Sequence, residues 1–113
     1  MSQGRFAVVI PVFNYEKAVA SVIRECLQLQ MPVFVVDDGS TDATYSKIKD
    51  IPGITILRHD RNRGKGAALL TGFDAASKTF EWAITLDADG QHRPEDISKL
   101  LDKLEAVAHA SLY

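Results

Sequence analysis

The stretch VFVVDDGSTD, residues 33–42, decides the fold, because it joins a buried-strand pattern to a polar turn. Its first four residues are all apolar, and three of them are valine. Such a run, without polar alternation, is typical of a strand buried on both faces, as in parallel sheets. The remainder favours a tight turn and a helix start. We therefore expect a parallel strand that ends in a polar loop, with Ser40 or Thr41 capping the next helix.

The same pattern occurs four times along the chain. Between the apolar runs, hydrophobic residues recur at helical spacing, and Asn14 is placed to cap the first helix. The third helix is predicted over residues 67–76, and the last begins near Pro94. This alternation predicts an α/β fold of the Rossmann-like βαβαβαβα type, a mainly parallel four-stranded sheet with helices on both faces. The predicted strands are residues 6–12, 33–36, 54–58 and 82–86.

Length and composition set broad bounds on the function. A chain of 113 residues is long enough for one domain, which we expect to span residues 1–113. The net charge of −2 gives no reason to expect a nucleic-acid partner. No apolar run approaches the roughly 18 residues of a membrane span. The single cysteine, Cys26, cannot form an internal disulfide and reads as a core residue. The default location is therefore the cytoplasm.

Polar clusters follow all four predicted strands. In parallel sheets of this kind, ligands bind beyond the carboxyl ends of the strands, where the strand order reverses. The clusters should therefore meet along one edge of the sheet and form a ligand site there. They are PVFNYE (11–16), DDGSTD (37–42), HDRNRGKG (59–66) and DADGQH (87–92).

The second and third clusters each allow two interpretations. Asp37 and Asp38 either serve turn formation or accept hydrogen bonds from a nucleotide base or ribose. Arg61, Arg63 and Lys65 either form a solvated basic loop or neutralise a diphosphate. The third cluster is neither a Walker loop nor a dinucleotide fingerprint, because the required glycine and hydroxyl positions are missing. His59 itself gives no functional signal.

The fourth cluster carries the strongest chemical signal, since two carboxylates one residue apart repel each other without a cation. A calcium loop counted from Asp87 would need Gly and Glu where His92 and Ser98 stand. A phosphatase motif of the Asp-x-Asp-Gly type would need Thr where Gln91 stands. The third interpretation is that Asp87 and Asp89 bind Mg²⁺ or Mn²⁺, which also bridges a substrate diphosphate.

Four motifs, in order and spacing, resemble the N-terminal half of a family-2 glycosyltransferase with the GT-A fold. The resemblance runs from about residue 6 to residue 107. Its third and fourth motifs are most similar to the dolichyl- or polyprenyl-phosphate mannosyltransferase-like branch. The motifs are VVIPVFN (8–14), VVDDGSTD (35–42), NRGKGAAL (62–69) and LDADGQHRPEDI (86–97).

The resemblance implies a nucleotide-diphospho-sugar donor, UDP- or GDP-linked, and roles for particular residues. A wall around the base and ribose follows strand one, Asp38 reads the base, and Lys65 contacts the nucleotide. Asp87 and Ala88 touch the donor, while Asp87, Asp89 and Gln91 hold the metal. No catalytic base is identified in this chain. The wall residues are Pro11, Phe13, Tyr15 and Glu16.

The resemblance also implies that the acceptor site and catalytic base belong to a further half, since the family domain runs to roughly twice this length. We therefore expect the donor-binding half of a glycosyltransferase whose acceptor is unknown and is suggested by resemblance to be a polyprenyl phosphate. Such an acceptor would place the protein at the cytoplasmic face of a membrane. The alternative is a non-catalytic nucleotide or nucleotide-sugar binding module. An unpaired edge on strand four predicts self-association.

Overall fold

The structure, a computed structural model, describes residues 6–86 and alternates strands with helices throughout that range. The strand order is β3-β2-β1-β4, and every neighbouring pair is parallel. The predicted parallel α/β fold is therefore confirmed; the predicted helix after Pro94 lies outside the described residues. The elements are β1 (Phe6–Val12), α1 (Val19–Leu27), β2 (Val33–Asp37), α2 (Thr44–Ile48), β3 (Ile54–Arg58), α3 (Lys65–Ser77) and β4 (Trp82–Thr85).

The strand order reverses at β1, which lies between β2 and β4. The chain steps outward from β1 to β2 and β3, and then returns to the other side of β1 through α3. Right-handed crossovers then put α1 and α2 on one face of the sheet and α3 on the other. A reversal of this kind opens a crevice at the carboxyl ends of the central strands.

Alternate residues of β1 belong to two separate hydrophobic clusters. Val8 and Ile10 pack in the larger cluster with residues of α1 and α2. Ala7 and Val9 pack in the smaller cluster with α3. Because both faces of β1 are covered, all seven of its residues are buried, as its unbroken apolar run predicted.

Cys26 belongs to the larger cluster and is fully buried. Burial raises the pKa of its thiol to about 11, with a smaller contribution from the negative charge of Glu25. The thiolate is therefore negligible at neutral pH and the thiol is chemically inert there. The prediction that Cys26 is a core residue is confirmed.

Gly72, which has no Cβ, allows α3 to approach the sheet closely beside the smaller cluster. A Cβ added there would lie 2.4 Å from Val9 Cγ1 and 3.1 Å from Val36 Cγ2. We expect overpacking in Gly72→Ala to lower the unfolding free energy by about 1–3 kcal/mol. The higher helix propensity of alanine offsets roughly 1 kcal/mol of that loss. Gly66→Ala, on the same helix with nothing within 4 Å, should be neutral or slightly stabilising. Urea unfolding of both variants measures the difference, and equal stabilities would contradict the close packing.

β3 and β4 are the edge strands in the part of the chain that the structure describes. The expected self-association through β4 stays a prediction. Among the helices of residues 6–86, none is both long and apolar enough to cross a membrane.

Candidate functional site

A cleft of about 440 Å³ opens beyond the carboxyl ends of β1 and β2, beside the first turn of α3. It collects residues from the first three polar clusters, as their positions after parallel strands predicted. Five of the predicted substrate-binding residues line it: Pro11, Phe13, Tyr15, Asp38 and Lys65. The other lining residues are Val12, Asn14, Asn62, Gly64 and Ala68.

Asn14 joins the loop after β1 to the loop after β2. Its φ of +49° turns the chain sharply, and its N–H donates to Ser40 Oγ at 2.9 Å. Its side-chain oxygen accepts the N–H groups of Thr41 at 2.8 Å and Asp42 at 3.3 Å. The prediction that Asn14 caps α1 is wrong, because α1 begins at Val19 without a side-chain cap. The oxygen that would have capped the helix is used between loops.

Glu16 makes a second link between the same two loops. Its carboxylate accepts the N–H of Ala43 at 3.0 Å, and its own N–H donates to Asp42 Oδ2 at 3.3 Å. Glu16 is not among the residues that line the cleft. Its predicted contact with the donor stays a prediction, whereas its contact with the chain before α2 is observed.

Asp42 organises the start of α2. Its Oδ1 accepts the N–H of Thr44 at 2.8 Å and the hydroxyl of Thr44 at 2.5 Å. The Thr44 hydroxyl oxygen in turn accepts the N–H of Tyr15 at 2.8 Å. Desolvation raises the pKa of Asp42, but the hydrogen bonds from Thr44 and Glu16 outweigh it and leave that pKa below its usual value. The prediction that Ser40 or Thr41 caps α2 is wrong, because their polar groups pair with Asn14 instead.

Asp38, directly after β2, lines the cleft and is hydrogen-bonded to the loop before α3. Its buried carboxylate accepts four hydrogen bonds, from His59 Nδ1 at 2.7 Å, the N–H groups of Arg63 and Gly64 at 2.9 Å, and Asn62 Nδ2 at 3.2 Å. Desolvation raises its pKa, but the hydrogen bonds from His59, Arg63 and Gly64 outweigh that effect. The pKa of Asp38 therefore lies below its usual value. The predicted contact of Asp38 with the base stays a prediction.

His59 contacts the carboxylate of the cleft residue Asp38, and the sequence analysis gave it no role. It is buried, and its Nε2 lies 2.8 Å from the hydroxyl of Thr71 on α3. The register of β2 and β3 pairs Asp37 with Arg58, so the next residues along both strands, Asp38 and His59, must lie side by side. An acidic residue and a histidine that directly follow neighbouring strands are the signal that could have identified this pair.

Gly39 allows the second and third loops to touch backbone to backbone. Its φ is +75°, and a Cβ built there would lie 2.2 Å from the carbonyl carbon of Arg61 and 2.4 Å from the nitrogen of Asn62. Only a residue without a Cβ fits this approach. The loop that carries Asn62 and Gly64 is therefore held against the end of β2.

The first turn of α3 closes the remaining side of the cleft. Gly64, at φ +102°, precedes the helix, and no side chain caps it. The first N–H groups of a helix lack partners within the helix and carry its positive partial charge. With Lys65 and Ala68 also lining the cleft, this end can receive an anion. Arg61 and Arg63, the other predicted cations, are exposed and are not lining residues.

β4 ends at the same edge of the sheet as the strands that carry the first three clusters. Leu86 is buried and its N–H donates to the carbonyl oxygen of Val9 at 3.1 Å, so the chain is still beside β1 there. The predicted metal-binding residues begin one residue later and lie outside the described residues, as does Ala88: they are Asp87, Asp89 and Gln91. Within residues 6–86, no group of three or more His, Cys, Asp or Glu side chains could hold a metal ion.

A parallel α/β sheet with a cleft where the strand order reverses defines the Rossmann-like class of ligand-binding folds. Comparison with known families then identifies the chain more closely. The model of the family described as "Glycosyl transferase family 2" matches residues 7–112, nearly the whole chain. The chain therefore belongs to glycosyl transferase family 2, as its four motifs predicted.

Several curated proteins are similar to this chain. A UDP-N-acetylglucosamine–dolichyl-phosphate N-acetylglucosaminyltransferase of Methanococcus voltae is 30% identical over 92% of this chain and 49% of its own length. A polyprenol monophosphomannose synthase of Mycolicibacterium smegmatis is 33% identical over 96% of this chain and 44% of its own length. An undecaprenyl-phosphate 4-deoxy-4-formamido-L-arabinose transferase of Enterobacter is 35% identical over 89% of this chain and 34% of its own length. The chain spans less than half of each relative.

Proposed function

We propose that this chain binds a nucleotide-diphospho-sugar and forms the donor-binding part of a glycosyltransferase that transfers the sugar to a polyprenyl phosphate. The observation that carries the proposal is the cleft itself. It joins apolar walls to the uncapped first turn of α3 at the place where the strand order reverses. A nucleotide-sugar needs both surfaces, because its base is flat and stacks through its ring faces and its diphosphate is anionic.

The apolar side of the cleft suits the base and ribose. Phe13 is 46% exposed and lines the cleft, so its ring is accessible from the cleft. Pro11 and Tyr15 line the cleft next to it. An aromatic ring beside a rigid proline gives a surface on which a base can stack.

The opposite side suits the diphosphate. The N–H groups at the start of α3 carry positive partial charge, and Lys65 is the first residue of the helix. Backbone N–H groups and a lysine are the usual donors to phosphate oxygens in nucleotide-binding proteins. The chain would thus orient the donor with its base towards Phe13 and its phosphates towards α3.

We propose that Asp87, Asp89 and Gln91 hold Mg²⁺ or Mn²⁺ beside the diphosphate. The donor set fits these ions, because carboxylate and amide oxygens are hard ligands and leave room for phosphate oxygens. When bound, the ion would neutralise charge on the departing nucleoside diphosphate. Leu86, the residue before Asp87 in the sequence, is still hydrogen-bonded to β1, which supports a metal site at this edge of the sheet.

A polyprenyl-phosphate acceptor is supported by the names of the relatives, three of which specify dolichyl phosphate, polyprenol or undecaprenyl phosphate. These lipids reside in membranes, so we place the reaction at the cytoplasmic face of a membrane. A non-catalytic module that binds the donor without transferring its sugar is the alternative.

Calorimetric titration with UDP and GDP, with and without Mn²⁺, tests the proposal. We expect one of the two nucleotides to bind in a Mn²⁺-dependent manner. Asp89→Asn should weaken the Mn²⁺-dependent binding by about tenfold or more, since it removes a charged metal ligand. Asp74→Asn, an exposed change on α3, is the matched control and should bind like the unchanged chain.

Other outcomes test the parts of the proposal separately. A folded chain that binds neither nucleotide would overturn the proposal. Binding that is equal in the Asp89→Asn and Asp74→Asn variants would overturn the metal assignment alone. Release of sugar from UDP- or GDP-sugars by this chain, with or without a polyprenyl phosphate, would exclude the non-catalytic module, whereas binding without release fits both the donor-binding part and that module.

A further inference from the structure

His59 is a buried titratable residue that the proposed sugar transfer does not use. It lies between two partners, with Nδ1 2.7 Å from Asp38 Oδ1 and Nε2 2.8 Å from the Thr71 hydroxyl. Both ring nitrogens therefore have protein partners, and His59 is not among the residues that line the cleft. Its place is behind the wall of the cleft, between β3 and α3.

The hydrogen bonds decide which ring nitrogen carries the proton. An ionised carboxylate can only accept, so Nδ1 must be the donor to Asp38. In the neutral ring Nε2 then accepts from the Thr71 hydroxyl. The ring thus holds Asp38 from one side and is itself oriented by α3.

The Asp38 carboxylate passes this restraint on to the wall of the cleft. An ionised carboxylate has about four acceptor positions, and four protein donors fill them. Two of the donors are the consecutive N–H groups of Arg63 and Gly64, directly before α3. A carboxylate that rotated away from Nδ1 would lose its alignment with these N–H groups.

We propose that His59 is a positioning residue: by donating Nδ1–H to Asp38 it fixes the backbone of residues 62–64 and so the wall of the donor cleft. The positioning stands on these contacts alone, while the identity of the ligand rests on the proposed function. His59 would therefore act on nucleotide affinity without touching the nucleotide.

Two amide substitutions separate the two contacts of His59. His59→Asn places an N–H donor near the position of Nδ1 and loses the contact with Thr71. His59→Gln reaches the position of Nε2 and loses the donor to Asp38. Both remain polar and smaller than or similar to histidine, so neither overfills the site. Thr71→Val removes the Thr71 hydroxyl while keeping its shape.

Hydrogen exchange at the Arg63 and Gly64 amides gives a readout without ligand. We expect His59→Gln to lower their protection by about tenfold or more relative to β1 amides, because a hydrogen bond to a charged group is worth at least that. His59→Asn and Thr71→Val should keep the protection within about threefold of the unchanged chain. The proposal would be overturned if His59→Gln left the protection of these two amides unchanged, or if His59→Asn and His59→Gln lowered it equally.

Titration of the same variants with UDP and GDP links the loop to the ligand. The nucleotide that binds the unchanged chain should bind His59→Gln about tenfold more weakly and His59→Asn within about threefold. Loss of loop protection without any change in affinity would overturn the link to the cleft. If the unchanged chain binds neither nucleotide while His59→Gln still loosens the loop, the proposed function fails and the positioning role stands.

Discussion

Gly39→Ala is expected to lower the unfolding free energy by about 3 kcal/mol or more. Two costs combine, about 1–2 kcal/mol for a Cβ at a left-handed φ and about 1–3 kcal/mol for overpacking. The Cβ would meet the backbone of Arg61 and Asn62 at 2.2–2.4 Å, and backbone cannot rotate aside as a side chain can. The two loops must therefore separate. Urea unfolding followed by circular dichroism measures the loss.

Gly53→Ala is the matched control for this prediction. Gly53 also has a left-handed φ, +87°, but a Cβ there meets only Leu27 Cδ2 at an ordinary 3.6 Å. It should cost about 1–2 kcal/mol, the conformational part alone. The difference between the two variants isolates the backbone contact between loops. Equal costs would show that the approach at Gly39 is looser than the structure has it.

Asp38→Asn is expected to cost about 3 kcal/mol at pH 7, since buried hydrogen bonds to a charged acceptor are worth about 1.5–3 kcal/mol each. An asparagine NH2 group in place of Asp38 Oδ2 would face the N–H donors of Gly64 and Asn62 and could not accept their hydrogen bonds. His59 would also lose an ionised partner. Asp60→Asn, an exposed change in the same loop, should stay within about 0.5 kcal/mol of the unchanged chain.

The cost of Asp38→Asn should also depend on pH in a defined direction. The pKa of Asp38 in the folded chain lies below the ordinary value of 3.8. The stabilisation is therefore complete above that ordinary value and is lost as the pH falls through the lower folded pKa. The unfolding free energies of the unchanged chain and the variant should converge in acid. A constant difference from pH 7 down to pH 3 would contradict the ionised role of Asp38.

The strands could be predicted from the sequence because each is an apolar run that needs no knowledge of its partner. Residues 6–12 and 54–58 were predicted with the bounds that the structure has. α3 begins two residues earlier than predicted, at Lys65, because Gly64 turns the chain at φ +102°. The local sequence identifies Gly64 as a turn residue but does not show at which residue the helix begins.

Much of the cleft was also predictable, because parallel strands bring their carboxyl ends to one edge. The roles within the cleft were less accessible. Asn14 is hydrogen-bonded to Ser40, Thr41 and Asp42, which lie 26 to 28 positions further along the chain. Local sequence patterns predicted only a helix cap for it. His59 depends on the register between β2 and β3, which the sequence does not print. Propensity describes neighbours along the chain, whereas these contacts are between neighbours across the sheet.

The hydrogen bonds of Asn14 and Glu16 limit how the loops of this chain can be engineered. Each of the first two loops supplies the other's missing donors and acceptors, and the third rests on the second through Gly39. The three loops therefore form one structural unit rather than three interchangeable parts. A chimera that exchanges only one of them would bring mismatched hydrogen-bond partners, so the three loops are better exchanged together.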